Sequence, residues 1–157
     1  MRVGHGFDVH PFSDDDARRL VLGGVVFEGE RGLAGHSDAD AVAHAVIDAI
    51  LGAAGLGDIG QHFPDTDPSW AGADSIRLLE AAVAKVAAAG WQVTNVDCTV
   101  VAEAPKIAPR KGEMIARLAE ALGAPVNLKG KRAEGLGALG RVEGIACFAV
   151  ALLEARS

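Results

Sequence analysis

Tyrosine is absent from this chain, and two tryptophans and five phenylalanines are its only aromatics. That is a poor supply of the flat surfaces on which single-stranded nucleic acid stacks. Positive charge is also short: 15 Lys and Arg stand against 21 Asp and Glu, a formal charge of −6. Nucleic acid and anionic membranes both require a basic surface, so neither is expected as a partner. A small phosphorylated ligand is not excluded, because local cations or bound metals offset a negative whole. No run of about 18 apolar residues is present, which excludes a membrane-spanning helix. The opening MRVGHGFDVH has neither the apolar stretch of a signal peptide nor the Arg/Ser richness of a transit peptide, so a cytoplasmic chain is expected. Cys98 and Cys147 lie far apart, each within an apolar run and with no CxxC spacing. They read as buried thiols, not as a disulfide or a zinc pair.

What is present is a chain of 157 residues, half of them apolar, enough for one domain spanning 1–157 with its own core. Val3 to His10 alternate, with Gly4, Gly6, Asp8 and His10 on one side, and predict a strand. Arg19 to Leu22 and Val25 to Phe27 flank Gly23-Gly24, a hairpin signal with no chemistry of its own. A helix is expected from about Ser37, taken as its N-cap, to about Gly52–Gly55. Leu56 to Pro68 is dense in Gly, Pro and Asp and reads as a loop, either solvated or holding a ligand. A helix from Asp74 to Ala89 reads as scaffold. A strand at Val93 to Glu103, a helix from Pro109 to Leu122, a short strand at Asn127 to Lys131, a glycine-rich loop to Gly140 and a strand at Glu143 to Leu153 complete the order. This succession implies an α+β fold, a two-layer α/β sandwich with helices on one face of a mixed sheet. No helix is left to cover the other face, so self-association through the sheet is expected.

Residues i and i+2 of a strand share a face about 7 Å apart, so Asp8 and His10 can reach one ion. On the first helix Asp40, His44 and Asp48 recur every four residues, which is either a solvated face or a working one. Asp8, His10 and His44 together offer three ligands from two rigid elements. Three ligands and one open position suit a catalytic zinc rather than a closed structural site. Asp40 or Asp48, one turn either side of His44, could orient its ring.

GHGFDVH at Gly4 to His10, GHSDADAVAHAVIDAILGAAGLGDIGQHFPDTDP at Gly35 to Pro68, APK at Ala104 to Lys106, and LGR at Leu139 to Arg141 followed by EGIA are nearly continuous along the chain. In these segments it resembles the 2-C-methyl-D-erythritol 2,4-cyclodiphosphate synthase family. The resemblance implies a phosphorus–oxygen lyase of non-mevalonate isoprenoid biosynthesis. It implies zinc on Asp8, His10 and His44, with Asp8 and His10 also bordering the substrate. His36 and Ser37 would contact substrate phosphates, His36 stabilising transition-state charge. Asp58, Ile59 and Gly60, with Phe63, Pro64, Asp65, Thr66 and Asp67, match the loop that holds the methylerythritol phosphate. Ala102, Glu103, Ala104, Pro105, Lys106, Ile107 and Ala108 match a cytosine pocket. Lys131, Arg132, Ala133 and Glu134 match the segment that meets the diphosphate, Glu134 as a ligand of a second divalent ion, Mg2+ or Mn2+. The family resemblance also implies a homotrimer with sites between subunits, its sheets packed together. Ala138 and Arg141, with Glu143, would then stand near the mouth of a central cavity able to take an isoprenoid diphosphate.

The chain departs from the family at Lys129-Gly130-Lys131-Arg132-Ala133-Glu134. Arg132 replaces the threonine that touches the cytidylyl phosphate, and its guanidinium could serve the same anion by a charge-assisted bond. Ala138 replaces a common aromatic, and Arg110 a frequent histidine. The rival functions are a zinc phosphohydrolase and a catalytically impaired trimer that binds metal, nucleotide or isoprenoid diphosphate. The substrate of the favoured reading is a small CDP-linked phosphorylated polyol.

Overall fold

The computed structural model describes residues 1–156. Strand β1 (Arg2–Pro11) carries the expected alternation: Gly4 and Gly6 are buried, while Val3, Phe7 and Val9 on the opposite face are 69%, 46% and 49% exposed. It pairs antiparallel with the last strand, β6 (Gly144–Ala155), which pairs antiparallel with β4 (Trp91–Val101). Strand β5 (Val126–Lys131) runs parallel to β4 and completes a mixed sheet of order β1-β6-β4-β5. The apolar run of β6 divides by face. Cys147, Ala149, Ala151 and Leu153 are buried under the helices, while Phe148 and Val150 remain 41% and 44% exposed on the uncovered side. The expected two-layer α+β arrangement is therefore present. Both cysteines are free and buried.

Helix α1 (Ala41–Ala54) packs along β1 and β6, α3 (Ser75–Ala88) beside α1 and β4, and α4 (Lys111–Leu122) beside α3 and β5. The α1–β1 contact is backbone against backbone. A Cβ at Gly4 would lie 2.0 Å from the Ala49 carbonyl oxygen, and one at Gly6 1.9 Å from that of Ala45. Only glycine permits so close an approach.

Helix α1 begins at Ala41, not near Ser37. The residue ahead of its cap, Ala39, is left-handed at φ +59°, and a chain that turns there cannot already be helical. Asp40, rather than Ser37, is the N-cap. Its buried carboxylate accepts from the N–H groups of Val42 and Ala43 at 3.0 and 3.1 Å, and also from those of Gly23 and Gly24 at 2.8 and 2.7 Å. Gly23 and Gly24 turn at φ +57° and +72° between β2 (Arg19–Leu22) and β3 (Val25–Arg31), so one side chain fixes both the hairpin and the start of α1. Burial, and after it the charge of Asp38, push the Asp40 carboxyl up to about 6 against the pull of these donors.

The remaining differences are local. The presumed loop Leu56–Pro68 contains a one-turn helix, α2 (Ile59–His62), and a 3-10 turn begins at its end (Pro68–Trp70). Another one-turn helix, α5 (Gly137–Gly140), lies in the glycine-rich loop. Elements this short have no hydrophobic period to detect. Helix α4 starts at Lys111, leaving Pro109 outside it, and β4 starts and ends two residues earlier than its alternation suggests.

Gly6→Ala is expected to destabilise the protein by about 3 kcal/mol, because the three atoms its Cβ would meet all belong to the backbone of α1. Urea unfolding measures it; wild-type stability would mean that α1 does not press on β1.

Candidate active site

Close packing of α1 on β1 puts His44, in the first turn of the helix, over the end of the strand where Asp8 and His10 project. Asp8 Oδ2, His10 Nε2 and His44 Nδ1 form a triangle with sides of 2.9, 3.1 and 3.2 Å. It is the cluster able to hold a metal ion among the described residues. Three atoms so spaced lie on a circle of about 1.8 Å radius, just under the roughly 2.0–2.2 Å from zinc to nitrogen or carboxylate oxygen, so one ion can touch all three. Two imidazoles and a carboxylate suit zinc or a similar borderline cation.

Hydrogen bonds on the far sides of both rings favour this use. His10 Nδ1 donates to the Ala34 carbonyl at 2.7 Å, which leaves Nε2 free for the cluster. His44 Nε2 lies 2.8 Å from Ser75 Oγ and 3.1 Å from Ser37 Oγ. Neither Asp40 nor Asp48 orients His44. Asp40 is committed to the cap and hairpin, and Asp48 Oδ1 accepts from the Ile59 N–H at 2.8 Å, anchoring α2. Burial raises the Asp8 pKa, but hydrogen bonds and attraction from His10 and His44 outweigh it and hold the carboxyl at about 2. Burial likewise opposes protonation of His10, yet Asp8 and the Ala34 carbonyl raise its pKa overall.

The triangle opens into a cavity of about 390 Å³. Gly35, His36 and Ser37 line it, together with Ile59, Gly60, Phe63, Asp65, Trp70 and Leu78. His36 Nε2 donates to the Asp67 carbonyl at 3.0 Å, tying the approach to α1 to the Phe63–Asp67 segment, where Phe63 packs edge-on against Trp70 at 5.2 Å. The aspartates of this stretch have separate tasks. Asp58 caps α2, Asp67 caps the 3-10 turn, and Asp65 lines the cavity. Pro64, Thr66, Asp58 and Asp67 do not line it.

A second cavity, of about 560 Å³, holds most of the other expected residues: Ala102, Glu103, Pro105, Lys106, Ile107, Ala108, Lys131 and Arg132, with Gly130 and Lys111. Arg132 donates through Nε and Nη2 to Glu103 Oε2 at 2.9 and 2.8 Å, and the Gly135 N–H donates to Oε1. Ala104 precedes Pro105 through a cis bond. Ala133, Glu134, Ala138 and Arg141 line neither cavity; Glu134 sits in a left-handed turn, and Arg141 pairs with Glu143 at 2.6 Å.

Sequence reasoning missed Ser75, Trp70 and Leu78. The helix that carries Ser75 and Leu78 read as scaffold, yet its first residue touches His44. A polar residue directly after the capping Asp74 was the available signal.

Because His10 holds a proton above its ordinary pKa of 6.5, a metal ion must displace that proton as pH falls. Zinc affinity is expected to be flat at high pH and to drop as pH falls through and below this raised value, by up to about tenfold per unit for one displaced proton. Chelator competition between pH 8 and 6 measures this, and affinity independent of pH would contradict it.

No helix of the described residues is long and apolar enough to cross a membrane. The YgbB family matches residues 1–154. The chain is 61% identical over 156 residues to the 2-C-methyl-D-erythritol 2,4-cyclodiphosphate synthase of Bordetella avium, covering 98% of this chain and 95% of that one. It is 62% identical to the bifunctional enzyme IspD/IspF of Anaeromyxobacter sp., of which it spans 40%. Among solved structures, the bifunctional IspDF of Campylobacter jejuni superposes with a TM-score of 0.93 at 42% identity, covering 98% of this chain and 42% of that one. A CDP complex of IspF from Plasmodium falciparum superposes with a TM-score of 0.85 at 33% identity, covering 99% and 97%. The resemblance carried by the GHGFDVH and GHSDAD segments holds over nearly the full length, and the chain belongs to the YgbB family.

Proposed function

We propose that this chain is a 2-C-methyl-D-erythritol 2,4-cyclodiphosphate synthase. It converts 4-diphosphocytidyl-2-C-methyl-D-erythritol 2-phosphate into 2-C-methyl-D-erythritol 2,4-cyclodiphosphate and CMP on the non-mevalonate route to isoprenoid precursors. The observation that carries this reading is the Asp8–His10–His44 triangle at the floor of a cavity, in a chain 61% identical to a synthase of that name.

An oxygen of the 2-phosphate attacks the β-phosphorus of the CDP group, and the bond from that phosphorus to the CMP oxygen breaks. The nucleophile is an anion already present on the substrate, so no activated Ser or Cys is needed. The work left to the protein is positioning and charge neutralisation. His36 and Ser37 bind the phosphates from the segment leading into α1, and His36 meets the developing charge. The wall from Ile59 to Trp70 holds the polyol in its folded form and excludes water. Backbone groups of Ala102–Ala108 read cytosine. Arg132 uses two of its five N–H donors on Glu103 and keeps the others for the diphosphate. Zinc held by Asp8, His10 and His44 would polarise a phosphoryl oxygen as a Lewis acid. Glu134 offers a carboxylate to a second divalent ion, Mg2+ or Mn2+, whose charge would offset that of the diphosphate.

The two cavities share no lining residue. One lies at the end of β1 and the other at the ends of β4 and β5; all three strands point the same way, and β1 and β5 are the opposite edges of the sheet. Three strand spacings, about 14 Å, separate those edges. A site completed when the β1 edge of one copy meets the β5 edge of the next uses two different surfaces, and a contact of that kind makes a ring when its rotation closes and an open filament when it does not. In a closed ring, the homotrimer of this reading, the exposed apolar face of Val3, Phe7, Val9, Phe148 and Val150 turns inward and is covered. Arg141 and Glu143 are then placed to meet an isoprenoid diphosphate in the central cavity.

Phosphorus NMR on protein supplied with zinc, magnesium and the CDP substrate is expected to show CMP and cyclic diphosphate in equal amounts. Linear phosphate products would instead indicate hydrolysis, and no turnover a binding protein. Arg132→Thr is expected to give no gain in turnover; a large gain would overturn the role given to Arg132.

A further inference from the structure

The far side of His44 is held by a chain of hydrogen bonds that begins at a carboxylate. Ser75 is fully buried at the first turn of α3. Its hydroxyl donates to Asp38 Oδ1 and its N–H donates to Asp38 Oδ2 at 3.0 Å, so Asp38 grips the residue with both oxygens. Asp38 Oδ1 also accepts from the Asp40 N–H at 3.1 Å, and the Asp38 N–H donates to the Ala73 carbonyl at 3.1 Å. The left-handed turn at Ala39 lets successive aspartates aim at different targets, Asp38 at Ser75 and Asp40 at the hairpin and helix cap. A non-glycine residue in that conformation carries strain that the surrounding contacts must hold.

The direction of these bonds is determined by what each group can do. A carboxylate only accepts. The Ser75 hydroxyl therefore spends its single proton on Asp38 and presents only lone pairs to His44, whose Nε2 lies 2.8 Å away. Two lone pairs do not face each other at that distance, so Nε2 carries a proton and donates it to Ser75. In the neutral imidazole the other nitrogen, Nδ1, then holds the lone pair, and Nδ1 is the atom in the triangle with Asp8 and His10, where a shared cation would let three lone-pair donors converge. The 3.1 Å contact from Ser37 Oγ to Nε2 fits the same assignment, with Ser37 as a second acceptor.

We propose that Asp38 and Ser75 are positioning residues that fix His44 as its Nε2–H tautomer and thereby present Nδ1 to the metal. This rests on the reading of Asp8, His10 and His44 as a metal centre. Partners of this kind are typically worth ten- to a hundredfold in metal affinity. The amide of Asp38→Asn can donate to Ser75 Oγ, which frees the serine proton to point at His44 and favours the wrong tautomer. Ser75→Thr keeps the hydroxyl, whereas Ser75→Ala removes the acceptor.

Two readouts on the whole protein test this: zinc affinity by competition with a chromophoric chelator, and the imidazole proton–nitrogen spectrum of the zinc-loaded chain. The wild type is expected to bind one zinc at the site and to show a slowly exchanging proton on His44 Nε2. Ser75→Ala and Asp38→Asn are expected to bind zinc about ten- to a hundredfold more weakly, with fast exchange of that proton, and Ser75→Thr to restore both. Asp38→Asn conserves shape, so the test stands even if Ser75→Ala fails to fold. Wild-type zinc affinity in both weakened variants would overturn the inference alone. A wild-type chain that binds no zinc would overturn the metal centre and this inference with it.

Discussion

The Asp8–His10–His44 cluster depends on how closely α1 lies against β1. Metal ligands drawn from two elements must converge to within about an ångström of the right spacing, and neither element supplies the set alone. Gly4 and Gly6 remove the side chains that would hold the helix off, and Ala45, Ala49 and Ala53 present small residues in return. The cost of glycine in a strand, about 0.5–1 kcal/mol each relative to alanine, is a small charge for that registration. His44 then comes down beside Asp8 and His10 with its Nδ1 about 3 Å from Asp8 Oδ2 and from His10 Nε2.

Around this contact, a small set of carboxylates divides the remaining work. Asp8 faces the cluster, Asp38 holds Ser75, Asp40 joins the hairpin to the helix, and Asp48 anchors α2. The first three lie within one short stretch of space yet remain distinct, because each has its own donors. A net charge of −6 is compatible with an anionic substrate for the same reason. The negative groups near the cavity are largely occupied by N–H, hydroxyl and imidazole partners, while Lys106, Lys111, Lys131 and Arg132 line the second cavity.

The legible parts of the sequence were those with a local period. Asp8 and His10 share a face because strands repeat every two residues, and His44 falls on the first turn of a helix whose apolar stripe is plain. The segments from Gly35 to Pro68 were legible through family likeness. What could not be read depends on contacts between distant residues. From the sequence, Asp40 belongs to a stripe that is either solvated or set to orient His44, since nothing local reveals that Gly23 and Gly24 point their N–H groups at it. Ser37 looked like the helix cap until the turn at Ala39 moved the start to Ala41. Ser75 belongs to a helix 31 positions away from His44, so its role emerges only when α3 is packed beside α1.

The proposed function stands on Asp8, His10 and His44 forming a working metal centre, with His44 bound through Nδ1. Anomalous diffraction at the zinc edge from crystals grown with zinc tests it most directly. One strong peak is expected within about 2.0–2.2 Å of Asp8 Oδ2, His10 Nε2 and His44 Nδ1, in the cavity that His36 and Asp65 line. No peak there, or one bound through His44 Nε2, would contradict it.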